Sequence, residues 1–459
     1  MKTFSILSLS MRTFATLWIG LCLCHTAQGA EDTVSLSLLD SYRLAQQHDA
    51  QIAAARAGRD AGREKLPQGR AGLLPILSLD ADYSRNDQDV SYNKLTSALS
   101  STDQNQQYNS SSYRISLAQP LYRLQNLAVY RQAKARVSIA DDNYIIAEQD
   151  LILRVANTYF NVLIAEESLV AARAQTTATT RSLVEARRKF EVGTVTVTDV
   201  DEAQAGHDLA RANEIVARND LEVTKQNLKK IIGEMPTYLA AANNLTLAPI
   251  EPGDMQQWEQ TALRYSPVIR VALNVLSVAQ QEVARNRGER HPSVDLVASY
   301  GDSSSDGDDL VGEGSDTTMA AIGIQLQIPL YTGGERSSKI REAVANQART
   351  QQDLRETREQ VALDTRQAYL TVTSGRLQVQ AFQQAVISGE SALKTTQRGY
   401  EVGIRTSLDV LNSQQQLFEN RRNLASAKYN YLNSLLKLKA AVGVLSLSDV
   451  EDINRLLTK

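Results

Sequence analysis

The chain has 459 residues, with 49 basic and 52 acidic side chains, four histidines and two cysteines. A near-neutral balance with no clustered basic face argues against nucleic acid as a partner. Sparse histidine and cysteine leave little material for metal or thiol chemistry.

The first residues read as a signal peptide spanning 1–29. Lys2 and Arg12 supply positive charge, and Phe14 to Cys24 is an apolar run. It is shorter than the about 20 residues a membrane-spanning helix needs. Small residues at Ala27 and Gly29 place cleavage before Ala30. The alternative, a membrane-anchored N-terminus, is disfavoured by the polar sequence that follows. Cleavage removes Cys22 and Cys24 and leaves a thiol-free chain of net charge −5, suited to an oxidising compartment. Leu21 and Leu23 stand where a lipid-attachment motif needs a small residue.

From residue 30 the chain contains one unit twice. Residues 30–233 form the first repeat, 234–254 a linker, 255–443 the second repeat and 444–459 a C-terminal tail. Arg187–Gly233 aligns without gaps on Gln397–Gly443 at an offset of 210, with fourteen identities, including Gly193, Asp199 and Val200. About three are expected by chance at ordinary residue usage. The same offset pairs Tyr159 with Tyr369. Gln119–Tyr122 echoes Ile328–Tyr331, and Leu74–Tyr83 echoes His291–Tyr300. Such duplication precedes any choice of fold.

Each repeat has the same order of predicted elements. A helical segment comes first, at 38–72 and again at 255–288. Two alternating segments follow, at about 74–86 and 111–120, then at about 292–302 and 318–328. A long helical hairpin closes each repeat, at 121–233 and 332–443. Proline is absent from 121 to 235 and beyond 329, which permits uninterrupted helices. Gly193 and Gly403 mark the hairpin turns, and Thr198-Asp199 and Ser407-Leu408-Asp409 supply capping-type residues for the returning helices. The apolar spacing in the rods is that of a coiled-coil seam with polar breaks, so the helices alone also allow a soluble coiled coil.

The strands separate these readings. Leu77, Leu79, Ala81 and Tyr83 alternate with polar residues, as do Tyr113, Ile115 and Leu117, then Val294, Leu296 and Ala298, then Ile322, Ile324, Leu326 and Ile328. Each segment runs about ten residues, enough for a tilted strand to cross a bilayer, with one face for lipid and one for water. The loops between them, Asn86–Ser112 and Asp302–Thr318, are polar; the acidic run in the second lacks the glycine spacing and closing glutamate of a calcium loop. Four strands cannot close a barrel, and open edges are not tolerated in lipid. The chain must therefore assemble, in a number that strand arithmetic does not choose.

Gly399 to Leu411, reading GYEVGIRTSLDVL, and Lys189 to Gly193, reading KFEVG, resemble the repeated hairpin motif of the TolC family of bacterial outer-membrane efflux and secretion channels. The resemblance covers nearly the whole mature chain. It implies a mainly α protein with a membrane β-barrel part, a homotrimer with twelve strands and a twelve-helix tunnel. It also implies an outer-membrane location reaching into the periplasm, contact with outer-membrane lipid, and docking of a periplasmic adaptor and an inner-membrane transporter of ABC, RND or MFS type. The hairpin turns would lie at a periplasmic tip that is closed at rest. By motif match, Tyr400 and Arg405 bond to Thr198 and Asp199 of the first hairpin or of a neighbour, as gating links. Asp409 lines the pore constriction. Asn412 stands where a second aspartate is common, which halves the expected ring of carboxylates. The copies also differ at Val195, which occupies the place of Arg405.

No catalytic, cofactor-binding or metal-binding residues are expected. His48, His207 and His291 have no ligand spacing, and no nucleophile elbow or phosphate loop occurs. The competing reading is a periplasmic coiled-coil adaptor or scaffold without a membrane span.

Overall fold

The computed structural model describes residues 36–90, 104–236, 238–241, 251–307 and 314–457. The signal-peptide reading of 1–29, the middle of the linker and the centres of both inter-strand loops lie outside them.

Three short helices open the described chain: α1 (Leu38–His48), α2 (Ala50–Arg63) and α3 (Lys65–Ala71). The sequence suggests one helical segment here. Asp49 divides it, because its carboxylate accepts the Ile52 N–H at 2.9 Å and caps α2. Two strands follow, β1 (Ile76–Val90) and β2 (Gln104–Tyr122), then the rod α4 (Leu124–Glu191) and its return α5 (Val197–Ile232). The second half repeats this order. Helices α6 (Met255–Tyr265) and α7 (Pro267–Gly288) are divided where Pro267 takes the first helical position. Then come β3 (Ser293–Ser305), β4 (Ser315–Gln327), α8 (Glu335–Glu401), α9 (Ser407–Val442) and a final α10 (Leu447–Leu457). Among the described residues no helix is long and apolar enough to cross a membrane.

The rods α4 and α8 have 68 and 67 residues, about 100 Å at 1.5 Å per residue. Their partners α5 and α9 have 36 each and cover only the half nearer the hairpin turns. The half nearer the sheet is covered by α2 and α3 on α4, and by α7 on both α4 and α8. The rods stand side by side in the order α5, α4, α9, α8.

The main core sits where the returning helices end. Leu151, Val155, Tyr159 and Leu163 of α4 meet Leu228 and Ile232 of α5 and Leu432 and Leu436 of α9. Phe160 stacks on Tyr429 at 5.8 Å between centroids. The repeated tyrosines act alike here. The Tyr159 hydroxyl donates to the Leu36 and Ala240 carbonyls at 3.0 and 2.8 Å, and the Tyr369 hydroxyl donates to the Gly253 carbonyl at 2.7 Å. Each pins a strand of connecting chain against its rod. Burial pushes the Tyr159 hydroxyl well above its ordinary pKa.

The strands form one antiparallel sheet in the order β1-β2-β3-β4. Its register lines up residues in rows. Leu77 faces Leu117, which faces Ala298, which faces Ile322; one step on, Leu79, Ile115, Tyr300 and Ala320 form the next row. The opposite face is polar, with Ser78 bonded to Ser116 at 3.1 Å and Ser112 to Asp82 at 2.8 Å. Where the sheet meets the rods, Arg123 grips Asp295 through two bonds of 2.8 and 2.5 Å. The strands run further into the loops than alternation indicates, because the loop-side pairs are polar on both faces, such as Ser84 with Ser110.

Replacing Tyr159 with Phe strands the buried Ala240 carbonyl, while the Leu36 carbonyl keeps the Ala240 N–H at 3.2 Å, and should cost about 1–3 kcal/mol in denaturant unfolding. Tyr369→Phe, whose bond is solvent-exposed, should cost under about 1 kcal/mol.

Candidate functional site at the hairpin tips

Both hairpins turn through the same backbone device. Gly193 and Gly403 take φ of 75° and 78°, a left-handed conformation open to glycine. Ahead of Gly193, the Thr194 N–H donates to the Lys189 carbonyl and the Gly193 N–H to the Phe190 carbonyl, both at 2.9 Å. In the second hairpin the Ile404 N–H donates to Gly399 at 2.8 Å and the Gly403 N–H to Tyr400 at 3.1 Å. These bonds satisfy carbonyls that each rod would otherwise leave open.

The returning helices start on capping boxes. The N-caps are Thr196 and Thr406, one or two residues ahead of the capping positions expected from sequence, and Asp199 and Asp409 occupy the third helical position. The Asp199 carboxylate accepts the Thr196 N–H at 2.9 Å and its hydroxyl at 2.8 Å. The Asp409 carboxylate accepts the Thr406 N–H at 2.9 Å. The Thr406 backbone and side chain, with a smaller contribution from Arg405, hold Asp409 below the ordinary carboxylate pKa.

The expected gating residues share one end of the molecule but are not bonded to one another within the chain. Thr198 is exposed on the first turn of α5, and Asp199 is engaged with its own cap. Arg405 is exposed in the second turn and lies along Gly399, its Cγ 2.8 Å from where a Cβ there would stand. Among the described residues, neither Tyr400 nor Arg405 makes a hydrogen bond to Thr198 or Asp199. Tyr400 instead meets Lys189 of the first hairpin, whose ammonium sits 4.5 Å from the ring centroid. Glu185, one turn back on α4, pairs with the same ammonium at 2.7 Å. Sequence reasoning missed Lys189 and Glu185. Their spacing of four beside the KFEVG motif was the available signal.

Packing thins towards this end. The apolar cluster between the hairpin arms consists of Leu183, Ala186 and Ala203, with Val200 against it. Asp409 is half-buried and Asn412 is exposed one turn along α9. A thinly packed end on a rigid shaft is the part of the molecule that can move at low cost.

Comparison with known proteins agrees with this architecture. The family model described as outer membrane efflux protein matches residues 41–234 and 258–444. The outer membrane protein TolC of Vibrio cholerae is 32% identical, over 91% of this chain and 93% of its own. The alkaline protease secretion protein AprF of Pseudomonas aeruginosa is 30% identical, over 92% of this chain and 87% of its own. The crystal structure of the Campylobacter jejuni CmeC outer membrane channel superposes with a TM-score of 0.74 at 20% identity, over 92% of this chain and 89% of that one. The adaptor alternative has no support beside the sheet and these matches. The chain belongs to the outer membrane efflux protein family, the TolC-type channels of the outer membrane.

Proposed function

We propose that the chain is the passive exit duct of a tripartite efflux pump or type I secretion system, assembled as a homotrimer. In this reading it receives cargo from an inner-membrane transporter and periplasmic adaptor and carries out no catalytic step. The transporter, not the duct, selects the cargo. The relatives include an alkaline protease secretion protein, which favours secretion among the options.

The observation that carries the assembly is an unfinished wall. The outer edges of β1 and β4 have no strand beside them among the described residues, although their side chains carry an outward apolar face. In lipid each open backbone group costs several kcal/mol, on the order of 2–7. The rods are unfinished at the same two ends. On α8, Leu363, Leu370 and Leu377 are exposed at heptad spacing; on α5, Leu209, Val216 and Val223 are too.

The internal repeat supplies the missing partner. Leu370 is 59% exposed, yet its counterpart in the first repeat is Phe160, 2% exposed against Tyr429. Transposing that contact by 210 residues sets Leu370 opposite Asn219 of a second copy. Leu370 then falls between Val216 and Val223, and Leu377 between Leu209 and Val216, as knobs into holes. The strands transpose likewise. Leu117 pairs with Ala298 inside the chain, which sets Leu326 opposite Ala81 of the next copy. Three copies, rather than two, follow from the family resemblance.

The mature chain has no cysteine of its own if cleavage falls before Ala30. Leu326→Cys with Ala81→Cys should therefore give disulfide-linked species ending at three chains on denaturing gels. Leu326→Cys with Asp82→Cys, which faces the other way, should not. A ladder ending at two chains, or none, would contradict the trimer or its register.

The tip carries the gate in this reading, with Asp409 and Asn412 at the constriction. Three Asp409 carboxylates attract cations. Because its pKa is depressed, Asp409 stays charged below the unfolded value of about 3.9. Its cap is complete above that value and is lost as pH falls through the lower folded pKa. In a ring of three carboxylates like charges oppose the pull of the cap, and divalent-cation block in planar bilayers should be lost as pH falls through the folded Asp409 pKa. Asn412→Asp should deepen the block, and Asp409→Asn should abolish it.

A further inference from the structure

At the tip the two hairpins of one chain are joined by Tyr400, one of the expected gating residues, and by Lys189, which is not among them. Lys189 and Tyr400 both sit in the last turn of their rods. Their carbonyls accept the N–H groups of Thr194 and Gly403 that close the glycine turns. Both side chains therefore leave from backbone that cannot fray without breaking the turn. Glu185 steers the Lys189 ammonium from one side at 2.7 Å, and the face of the Tyr400 ring receives it from the other at 4.5 Å. An ammonium over an aromatic face is attracted by the ring's negative quadrupole, and the hydroxyl is not required for that attraction.

Two of the other motif candidates have neighbours within their own hairpins. Asp199 is held by Thr196 of its own helix, and Arg405 lies over Gly399. The helices behind the tie also make close contact. Leu411 of α9 fills the space above Gly206 of α5, where a Cβ would come within 2.7 Å of it.

The repeat indicates where this tie can and cannot exist. The counterpart of Lys189 is Gly399, and the counterpart of Tyr400 is Phe190. The transposed junction between copies thus has a ring and no cation. Likewise Gly206 corresponds to Gln416 and Leu411 to Asp201. The tie belongs to the junction inside each chain.

We propose that Lys189, steered by Glu185 onto the face of Tyr400, is the side chain that holds the two hairpins of one chain together in the closed tip. This rests on the reading of the tip as the gate. It assigns the hold to a cation on a ring in place of a hydroxyl on a carboxylate.

The test is single-channel conductance of the purified full-length protein in planar bilayers, with thermal stability of the assembly measured alongside. Lys189→Met, which keeps length and loses charge, should shift the open–closed balance towards open by roughly two- to five-fold per chain. Tyr400→Leu should do the same. Lys189→Arg and Tyr400→Phe, which retain a cation and a ring face, should stay near the wild-type resting conductance. All four should melt with the wild type, since the core lies far up the rods. If Tyr400→Phe opens the channel as far as Tyr400→Leu, the hydroxyl makes the tie and this inference is wrong. If Lys189→Met is silent while Arg405→Ser opens the channel, the gate stands and Lys189 is not its tie. If neither opens it, the tip is not the gate.

Discussion

A β-sheet in lipid must hydrogen-bond to itself all the way round, and this chain supplies four strands in one open sheet, a third of the ring in the proposed trimer. Much else in the molecule follows from that constraint. Among the described residues strands β1 and β4 end the sheet with unpaired backbone, and in the proposed assembly the fold of a single chain is not the functional object. The rods inherit the same incompleteness, because each is the continuation of a strand. β2 leads into α4 through Arg123, gripped by Asp295, and β4 leads into α8. Whatever closes the sheet also closes the wall of helices below it.

Duplication is what makes closure geometrically cheap. In the proposed assembly, the contact that α4 makes with α9 inside the chain is the one that α8 takes from α5 of a neighbour. A chain of two similar units needs a single kind of junction, repeated. The two junctions are alike near the core, where Phe160 and Leu370 occupy equivalent places. They differ at the tip, where Lys189 and Tyr400 have Gly399 and Phe190 as counterparts. Uniform walls with non-uniform tips suit a duct whose shaft is fixed and whose end opens. The distribution of packing agrees, with large buried side chains around Tyr159 and Leu432 and mainly small ones near Ala186 and Ala203.

Much of the architecture was legible in the sequence because it rests on periodicity and repetition, which are properties of the chain alone. Strand alternation at Leu77–Tyr83 and Ile322–Ile328 indicated which face meets lipid, and absent proline indicated the rods. Boundaries were less legible. Asp49 and Pro267 split helices that hydropathy joins, since a cap or a missing N–H acts at one residue while periodicity averages over many. The site was legible only in part. Gly193, Gly403, Asp199 and Asp409 could be placed at the turns from their pattern. That Asp199 gives one carboxylate oxygen to Thr196 depends on φ and ψ at the cap, which spacing does not encode. That Lys189 reaches Tyr400 depends on how two hairpins lie against each other, a relation between residues 211 positions apart in the chain.

The central claim is that the outer edges of β1 and β4 pair with one another between copies. Backbone hydrogen exchange on protein extracted from outer membranes reads this directly, strand by strand. The account predicts that amides of β1 and β4 are protected to the same degree as those of the inner strands β2 and β3. Fast exchange along β1 and β4, with β2 and β3 protected, would mean that the edges stay open and would contradict it.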